Sequence, residues 1–454
     1  MSGKESRAVP IKEESGNSRP PINRSGFDSS SGIYSSVHQL PDHLKVPSDP
    51  NLDIVSFVLS QFPRPHVAES KLAFIDSATN QHLTYAQLHR SVRSLAGGLY
   101  HLGVCKGDVV FLLSPNSLLY PTMCLAIFSI GAILSPANPI NTPSEIAKQV
   151  LDSGAKLVIS TPEELHKFER IRRFDFQEMV KTIRVHKINN VAAVPPVVLG
   201  LVKHCKGDSS LATLRRIGSG AAPLSKELTE AFRAQFPWVE MRQGYGLTES
   251  CGTATGFVFD DEAKAHPGSC GALLPTFSAK VVDIETGSAL PPYKEGELWL
   301  KGPSIMKGYL RNEEATNATL DKDGWLKTGD LGYFDEEGFV YIVDRIKELI
   351  KHNGYQVAPA ELEALLLTHP HVLDAAVIPV EHEESGQIPM AYVVKAAASQ
   401  LTEEQVIQFV AAQVAPYKKV RRVEFVDAIP KSAAGKILRK QLILQSQCSI
   451  RSQL

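Results

Sequence analysis

Five short segments hold the threonines, acids and lysines of this chain whose spacing could serve chemistry, and most follow small or glycine-rich turns. In Ser219-Gly220-Ala221-Ala222-Pro223-Leu224 the small residues let a flat ring such as adenine lie against the backbone. A tight strand-to-helix turn with Pro223 in first helical position explains the same letters. In Gln243-Gly244-Tyr245-Gly246-Leu247-Thr248-Glu249-Ser250 two glycines free the Tyr245 ring to stack on a planar partner. The Thr248 hydroxyl and Glu249 carboxylate that follow can hold a phosphate oxygen and its magnesium, although an acidic first helical turn accounts for them equally well. Gly324-Trp325-Leu326-Lys327-Thr328-Gly329-Asp330-Leu331-Gly332 places a carboxylate after a glycine turn, where it can grip two ribose hydroxyls. Tyr341-Ile342-Val343-Asp344-Arg345-Ile346-Lys347-Glu348-Leu349-Ile350-Lys351 adds Arg345 as a second contact. Both also read as a β-turn leading into a charged edge. Pro430-Lys431-Ser432-Ala433-Ala434-Gly435-Lys436 presents one lysine from a flexible loop, where a lone lysine is ordinarily just solvated.

Holding such groups together takes layered elements, and the apolar periodicity supplies them. Helical spacing runs over 51–62, 85–102, 176–186, 358–368 and 402–414, and buried strands are expected at 72–76, 109–113 and 190–194. From 279 to 343 short strands broken by Gly, Pro and Asp read as a β-rich subdomain. Beyond Asp344 a helix, the strands 372–379 and 391–395, and a further helix make a compact α+β unit. The expected architecture is α/β: residues 1–48 mostly disordered, a large multi-layer N-terminal domain over 49–343, and a small C-terminal domain over 344–454.

Bulk properties bound the reading. The chain has 454 residues, 43% of them hydrophobic and 21% charged, enough for two or more folding units and unlike a disordered or collagenous chain. A formal net charge of −1 gives no global field for steering nucleic acid, so no nucleic-acid partner is expected. Six scattered cysteines without a C-x-x-C pair suggest neither zinc nor a disulfide framework. The apolar run Leu118–Ser135 approaches membrane-spanning length, but Pro121, Ser129, Gly131 and Ala132 suit a buried helix better than a stable span. The first residues lack the apolar core of a secretory signal. Nothing in the sequence speaks to oligomeric state.

In order, the five segments resemble the core motifs of the adenylate-forming acyl-CoA ligase superfamily, and within it the plant 4-coumarate:CoA ligase-like group. The resemblance covers residues 50–445 and implies the adenylate-forming enzyme fold. It implies ATP-dependent activation of a small-molecule carboxylic acid through an acyl-adenylate, with magnesium, and transfer to coenzyme A. Ser219, Gly220, Ala221, Ala222, Gly244 and Gly246 would line the nucleotide site and Tyr245 would stack on adenine. Thr248 would contact the α-phosphate, Glu249 would hold magnesium, and Asp330 and Arg345 would hold the ribose. Lys347 would lie at the hinge and Lys436 would enter for adenylation. After rotation Lys351 and the Gly354 loop would serve the coenzyme A step, while Gly252 and Thr253 would border the acid pocket.

The chain departs from that family's pattern in one large respect. A Ser/Thr/Gly-rich phosphate loop ending Pro-Lys-Gly, and the aromatic-His segment after it, are absent from the short stretch joining Val158-Ile159-Ser160 to Phe174-Asp175-Phe176. An internal deletion near 160–174 is therefore expected, with the loss of backbone N–H groups that would cradle phosphates and with sheet edges left open. Gly252-Thr253 stand where coumarate ligases tend to have Pro-Val, and Asn353 where a lysine is common, so the acid is left open between hydroxycinnamates and fatty or oxylipin-type acids. A catalytically silent isoform acting as a binding or regulatory protein is the competing reading, and luciferase-like oxidation a distant third. Ser452-Gln453-Leu454 resembles a peroxisomal address with Gln453 in place of a basic residue, which leaves peroxisome and cytosol both open.

Overall fold

The structure is a computed structural model, and it describes residues 24–39, 47, 49, 51–139, 141–161, 175–208, 211–220, 224, 226–396, 399–431 and 436–451. Ala221, Ala222, Pro223, the expected deletion junction at 162–174 and the terminal tripeptide lie outside the described residues.

Val109–Leu113, five buried β-branched, leucine and phenylalanine residues in a row, is the central strand of a three-stranded parallel sheet between Ile133–Ala137 and Leu157–Ser160. A continuous apolar strand is what a parallel sheet covered on both faces requires. A second sheet runs Ala272–Leu273, Gly252–Gly256, Glu240–Leu247, Arg216–Ser219, Asn190–Ala193. Its last three strands are parallel, and its core packs Phe232, Phe236, Leu201 and Leu214 from the flanking helices and loops. Among the described residues, nothing pairs with the outer side of Leu157–Ser160 or of Asn190–Ala193, so both parallel sheets end in open edges. A hollow of about 440 Å³ lies beside the second edge, lined by Met179, Thr182, Ile183, Ile188, Asn190 and Val191 among others.

A six-stranded antiparallel sheet follows, in the order Phe27–Asp28, Ile33–Ser35, Ser278–Val282, Gly296–Lys301, Leu326–Phe334, Val340–Arg345. The last sheet contains Tyr355–Val357, Ile350–His352, Gly386–Lys395, Val372–His382 and Arg422–Phe425, all beyond Leu349. Helices Pro359–Leu367 and Glu403–Ala411 bury Leu362, Leu366, Val406 and Val410 against it.

Helix starts follow local chemistry. Reciprocal caps pair Thr84 with Gln87, Thr142 with Glu145 and Thr402 with Gln405, which fixes helices Tyr85–His101, Pro143–Ser153 and Glu403–Ala411. Four expectations need correction. The apolar run from Leu118 is not one helix: Tyr120–Ser129 is helical, Gly131 turns the chain at φ +69°, and Ile133–Ala137 is a strand. Two strands expected to be buried are largely exposed, Leu72–Ile75 because it pairs only in a two-stranded hairpin and Asn190–Ala193 because it is an edge. Part of the N-terminal segment is ordered: Tyr34 is fully buried, stacks on Phe334 with ring centroids 4.0 Å apart, and donates to the Leu290 carbonyl at 3.0 Å. Asp330 lies within a strand rather than after a turn.

Candidate active site

Three strands from two sheets converge on one carboxylate. Tyr245 lies near the end of Glu240–Leu247, while Asp330 and Arg345 are direct partners across the ladder of the six-stranded sheet. Asp330 is 5% exposed, its Oδ2 accepts from the Tyr245 hydroxyl at 2.6 Å, and its Oδ1 stands 3.6 Å from Arg345 Nε. The Asp330 backbone N–H donates to Thr328 Oγ1, whose own hydroxyl donates to the Leu298 carbonyl at 2.6 Å, so the residue is braced from behind. Burial raises the Asp330 pKa; Tyr245, Arg345 and the charge of Lys436 pull it back down. Lys436 thus reaches the carboxylate electrically from a different part of the chain. Burial, then Asp330, pushes the Tyr245 phenol well above its ordinary range, so Tyr245 stays a neutral donor.

The glycines beside Tyr245 answer to close backbone approach. A Cβ on Gly246 would lie 2.0 Å from the Gly252 carbonyl oxygen, and one on Gly244 3.2 Å from that of Thr255. Gly220 sits at the end of the neighbouring strand, a Cβ there falling 3.5 Å from the Gly244 carbonyl oxygen. Backbone of the next strand thus fills the space beside Gly246 and crowds that beside Gly244. Just before Gly220, the Ser219 hydroxyl is buried and has no hydrogen-bond partner among the described residues. Thr248-Glu249-Ser250 then forms a single 3₁₀ turn, ended by Cys251 at φ +55° and Gly252 at φ +122°. Thr248, Gly252 and Thr253 are exposed on this rim. Glu249 is engaged: its Oε1 accepts from the Tyr309 hydroxyl at 2.7 Å.

The AMP-binding enzyme family model matches residues 64–173 and 164–310, and the model of that family's C-terminal domain matches residues 361–436. The chain is 39% identical over 541 residues to "Peroxisomal OPC-8:0-CoA ligase 1" of Arabidopsis thaliana, a match covering 92% of this chain and 97% of that protein. It is 39% identical over 523 residues to "4-coumarate--CoA ligase-like 4" of Oryza sativa subsp. japonica, covering 88% and 93%. The chain belongs to the AMP-binding enzyme family, among its acid–thiol ligases. The fold agrees: the crystal structure of the anthranilate CoA ligase AuaEII with anthranoyl-AMP superposes with a TM-score of 0.78 at 20% identity, over 89% of this chain and 98% of that one.

In this AMP-binding enzyme the remaining expected residues follow the strand that carries Arg345. Lys347 is exposed in the 3₁₀ turn Ile346–Glu348, which links the six-stranded sheet to the C-terminal one. Lys351 is exposed on Ile350–His352, and Gly354, at φ +80°, follows Asn353, at φ +50°, in the hairpin turn after it. The residue before the linking turn, Arg345, follows Asp344, whose Oδ2 accepts the Ala360 N–H at 2.8 Å and so caps the helix Pro359–Leu367. Sequence reasoning missed Tyr309 and the bracing hydroxyl of Thr328. Tyr309 carries no local signal, lying 60 positions from Glu249. Thr328, two residues before Asp330 in a quoted segment, could have been found as a side chain able to bond its own backbone.

Proposed function

We propose that this site is that of an ATP-dependent carboxylic acid:CoA ligase working through an acyl-adenylate, and that this chain catalyses the reaction poorly because a phosphate-loop block is missing between Ser160 and Phe174. The meeting of Tyr245, Asp330 and Arg345, with the Lys436 charge acting on Asp330, carries the first part. Adenine is assigned to the ends of the neighbouring strands at Gly220 and Gly244, beside the Tyr245 ring and the Ser219 hydroxyl. Asp330 and Arg345 take the ribose hydroxyls, Thr248 the α-phosphate, and Lys436 offsets the charge that builds on that phosphate when the acid attacks. Magnesium, where present, would be held by the Glu249 carboxylate, a hard oxygen ligand, together with nucleotide phosphates. Lys347 serves as the hinge of a C-terminal domain starting near Asp344, and Lys351 with Gly354 as the surface for coenzyme A.

Three observations support the missing block. Both reported relatives align over more positions than the 454 residues this chain possesses. The family model matches in two pieces that meet at 164–173. The open edges at Leu157–Ser160 and Asn190–Ala193 flank that same interval. Losing even one preorganised donor to developing charge costs on the order of a hundred-fold in rate. The silent, partner-binding isoform is accordingly the second reading.

Pyrophosphate release with a panel of hydroxycinnamic, fatty and oxylipin-type acids, with and without coenzyme A, tests both parts. The expected result is AMP binding with turnover near background. Turnover typical of an intact ligase would overturn the missing-block reading, and no AMP binding would overturn the site. Residence in the peroxisome is proposed alongside, on the name of one relative; an N-terminally tagged chain that remains diffuse in the cytosol would reject it.

A further inference from the structure

Lys203 lies in the last turn of the helix Pro195–His204 of the large domain, yet it bonds to carbonyls of the C-terminal unit. Its Nζ donates to the Val372 carbonyl at 3.0 Å and approaches that of Leu373 at 3.5 Å. Those carbonyls stand at an irregularity: the ladder register shifts between Val372 and Asp374, as in a β-bulge, which turns backbone groups out of the sheet. Burial at the seam lowers the Lys203 pKa, while the Asp374 carboxylate acts in the opposite direction. Asp374 has a second lysine. Its Oδ2 lies 2.6 Å from Lys431 Nζ, both side chains being mostly shielded from solvent. Lys431 in turn bridges to Ile437, and the Leu438 N–H donates to the Pro430 carbonyl at 2.9 Å, so this ion pair sits at the base of the loop that ends in Lys436.

We infer that Lys203, Asp374 and Lys431 form a latch across the domain seam, in which docking of the bulged strand onto Lys203 fixes the base of the Lys436 loop and holds Lys436 toward Asp330. Lys203 and Asp374 are positioning residues, and the inference rests on Lys436 being the adenylation lysine. The coupling is physical: Asp374 holds Lys431 at 2.6 Å and directly follows the two carbonyls that Lys203 grips, so separating the domains disturbs both contacts. A C-terminal unit released from Lys203 leaves the Val372 and Leu373 carbonyls to water and loosens the Asp374–Lys431 pair that neighbours Lys436.

Amine-selective acetylation of the full chain, read by mass spectrometry as the rate at Lys436 relative to the exposed Lys351, tests the latch without requiring turnover. Lys203→Met keeps the aliphatic stem and removes the donor; the Lys436-to-Lys351 ratio should rise about three- to tenfold, in line with the net loss of one ordinary hydrogen bond. Asp374→Asn should raise it similarly, and Lys203→Arg, which keeps a donor, should leave it near the unaltered chain. An unchanged ratio in both Lys203→Met and Asp374→Asn overturns the latch, as does a rise shared equally by all lysines, which reports general loosening. Adding AMP separates the two ideas. If AMP fails to slow Lys436 labelling in the unaltered chain, the ligase reading of the site falls, whereas the latch is judged on the ratios without nucleotide.

Discussion

Gly246 is held to glycine by its neighbour rather than by its own torsion angles. Its missing Cβ would meet the Gly252 carbonyl at 2.0 Å and the Thr253 Cα at 2.8 Å, so Gly246→Ala must push apart the hairpin that carries Thr248 and Glu249. The expected cost is about 2–3 kcal/mol or more, in the range of overpacked interiors. It is read as a lower urea midpoint together with weaker AMP binding; an unchanged midpoint would contradict the packing argument. A second residue gives the molecule a pH signature. Burial pushes Glu363 up from an ordinary 4.5 to about 7, although Arg439 pairs with it at 2.9 Å. The folded state then keeps this proton to higher pH than the unfolded chain does. Its contribution to stability is complete below about 4.5 and is lost as pH rises to about 7. Melting temperatures across that interval should fall in the unaltered chain, and Glu363→Gln, which cannot titrate, should flatten that part of the decline.

At the scale of elements, the open edges are the liability. Asn190–Ala193 offers unpaired backbone on one side and exposes Asn190 and Ala192, while Val158 on the other edge is 50% exposed. Edge strands of native sheets are commonly guarded by charge. Ala192→Lys should therefore slow aggregation, measured as light scattering during incubation at 37 °C, without lowering the melting temperature; faster aggregation would show that this edge is not the sticking surface. Most of these elements could be read in advance. Val109–Leu113 declared itself by unbroken apolar character, and Thr84, Thr142 and Thr402 by a Gln or Glu three residues on. The failures have physical causes. Apolar residues from Leu118 to Ser135 form no period that separates a helix from the strand after it, and Asp330 reads as a turn residue because Gly329 adopts φ +70° inside a strand. Local pattern also says nothing of how many neighbours a strand has, which is why two edge strands were expected to be buried. In the site, Tyr245, Asp330, Arg345 and Lys436 were legible one by one. Their meeting followed only from the resemblance, and Tyr309 and Lys203, whose partners are distant in sequence, were not legible at all.

For the molecule as a whole, the prediction turns on what the interval 160–174 lacks. Grafting the corresponding block of a full-length relative into that interval should restore pyrophosphate release with at least one acid of the panel. In that restored enzyme Lys436→Ala should slow acyl-adenylate formation by about a hundred-fold or more, yet leave thioester formation from supplied adenylate nearly intact. Equal loss of both steps would remove the division of labour between Lys436 and Lys351. No helix among the described residues is long and apolar enough to cross a membrane.

The hydrogen bond between Tyr245 and Asp330 has a bearing on which nucleotides the site refuses. A buried carboxylate that waited unpaired for a sugar would punish any ligand lacking the hydroxyl, because rejection is strongest where a buried group is left orphaned. Here Tyr245 already occupies one oxygen at 2.6 Å and Arg345 flanks the other. A 2′-deoxy nucleotide, on the proposed ribose role, simply lets the phenol stay where it is. Discrimination against deoxyribose is then only modest, and Tyr245→Phe sharpens it by taking away the understudy.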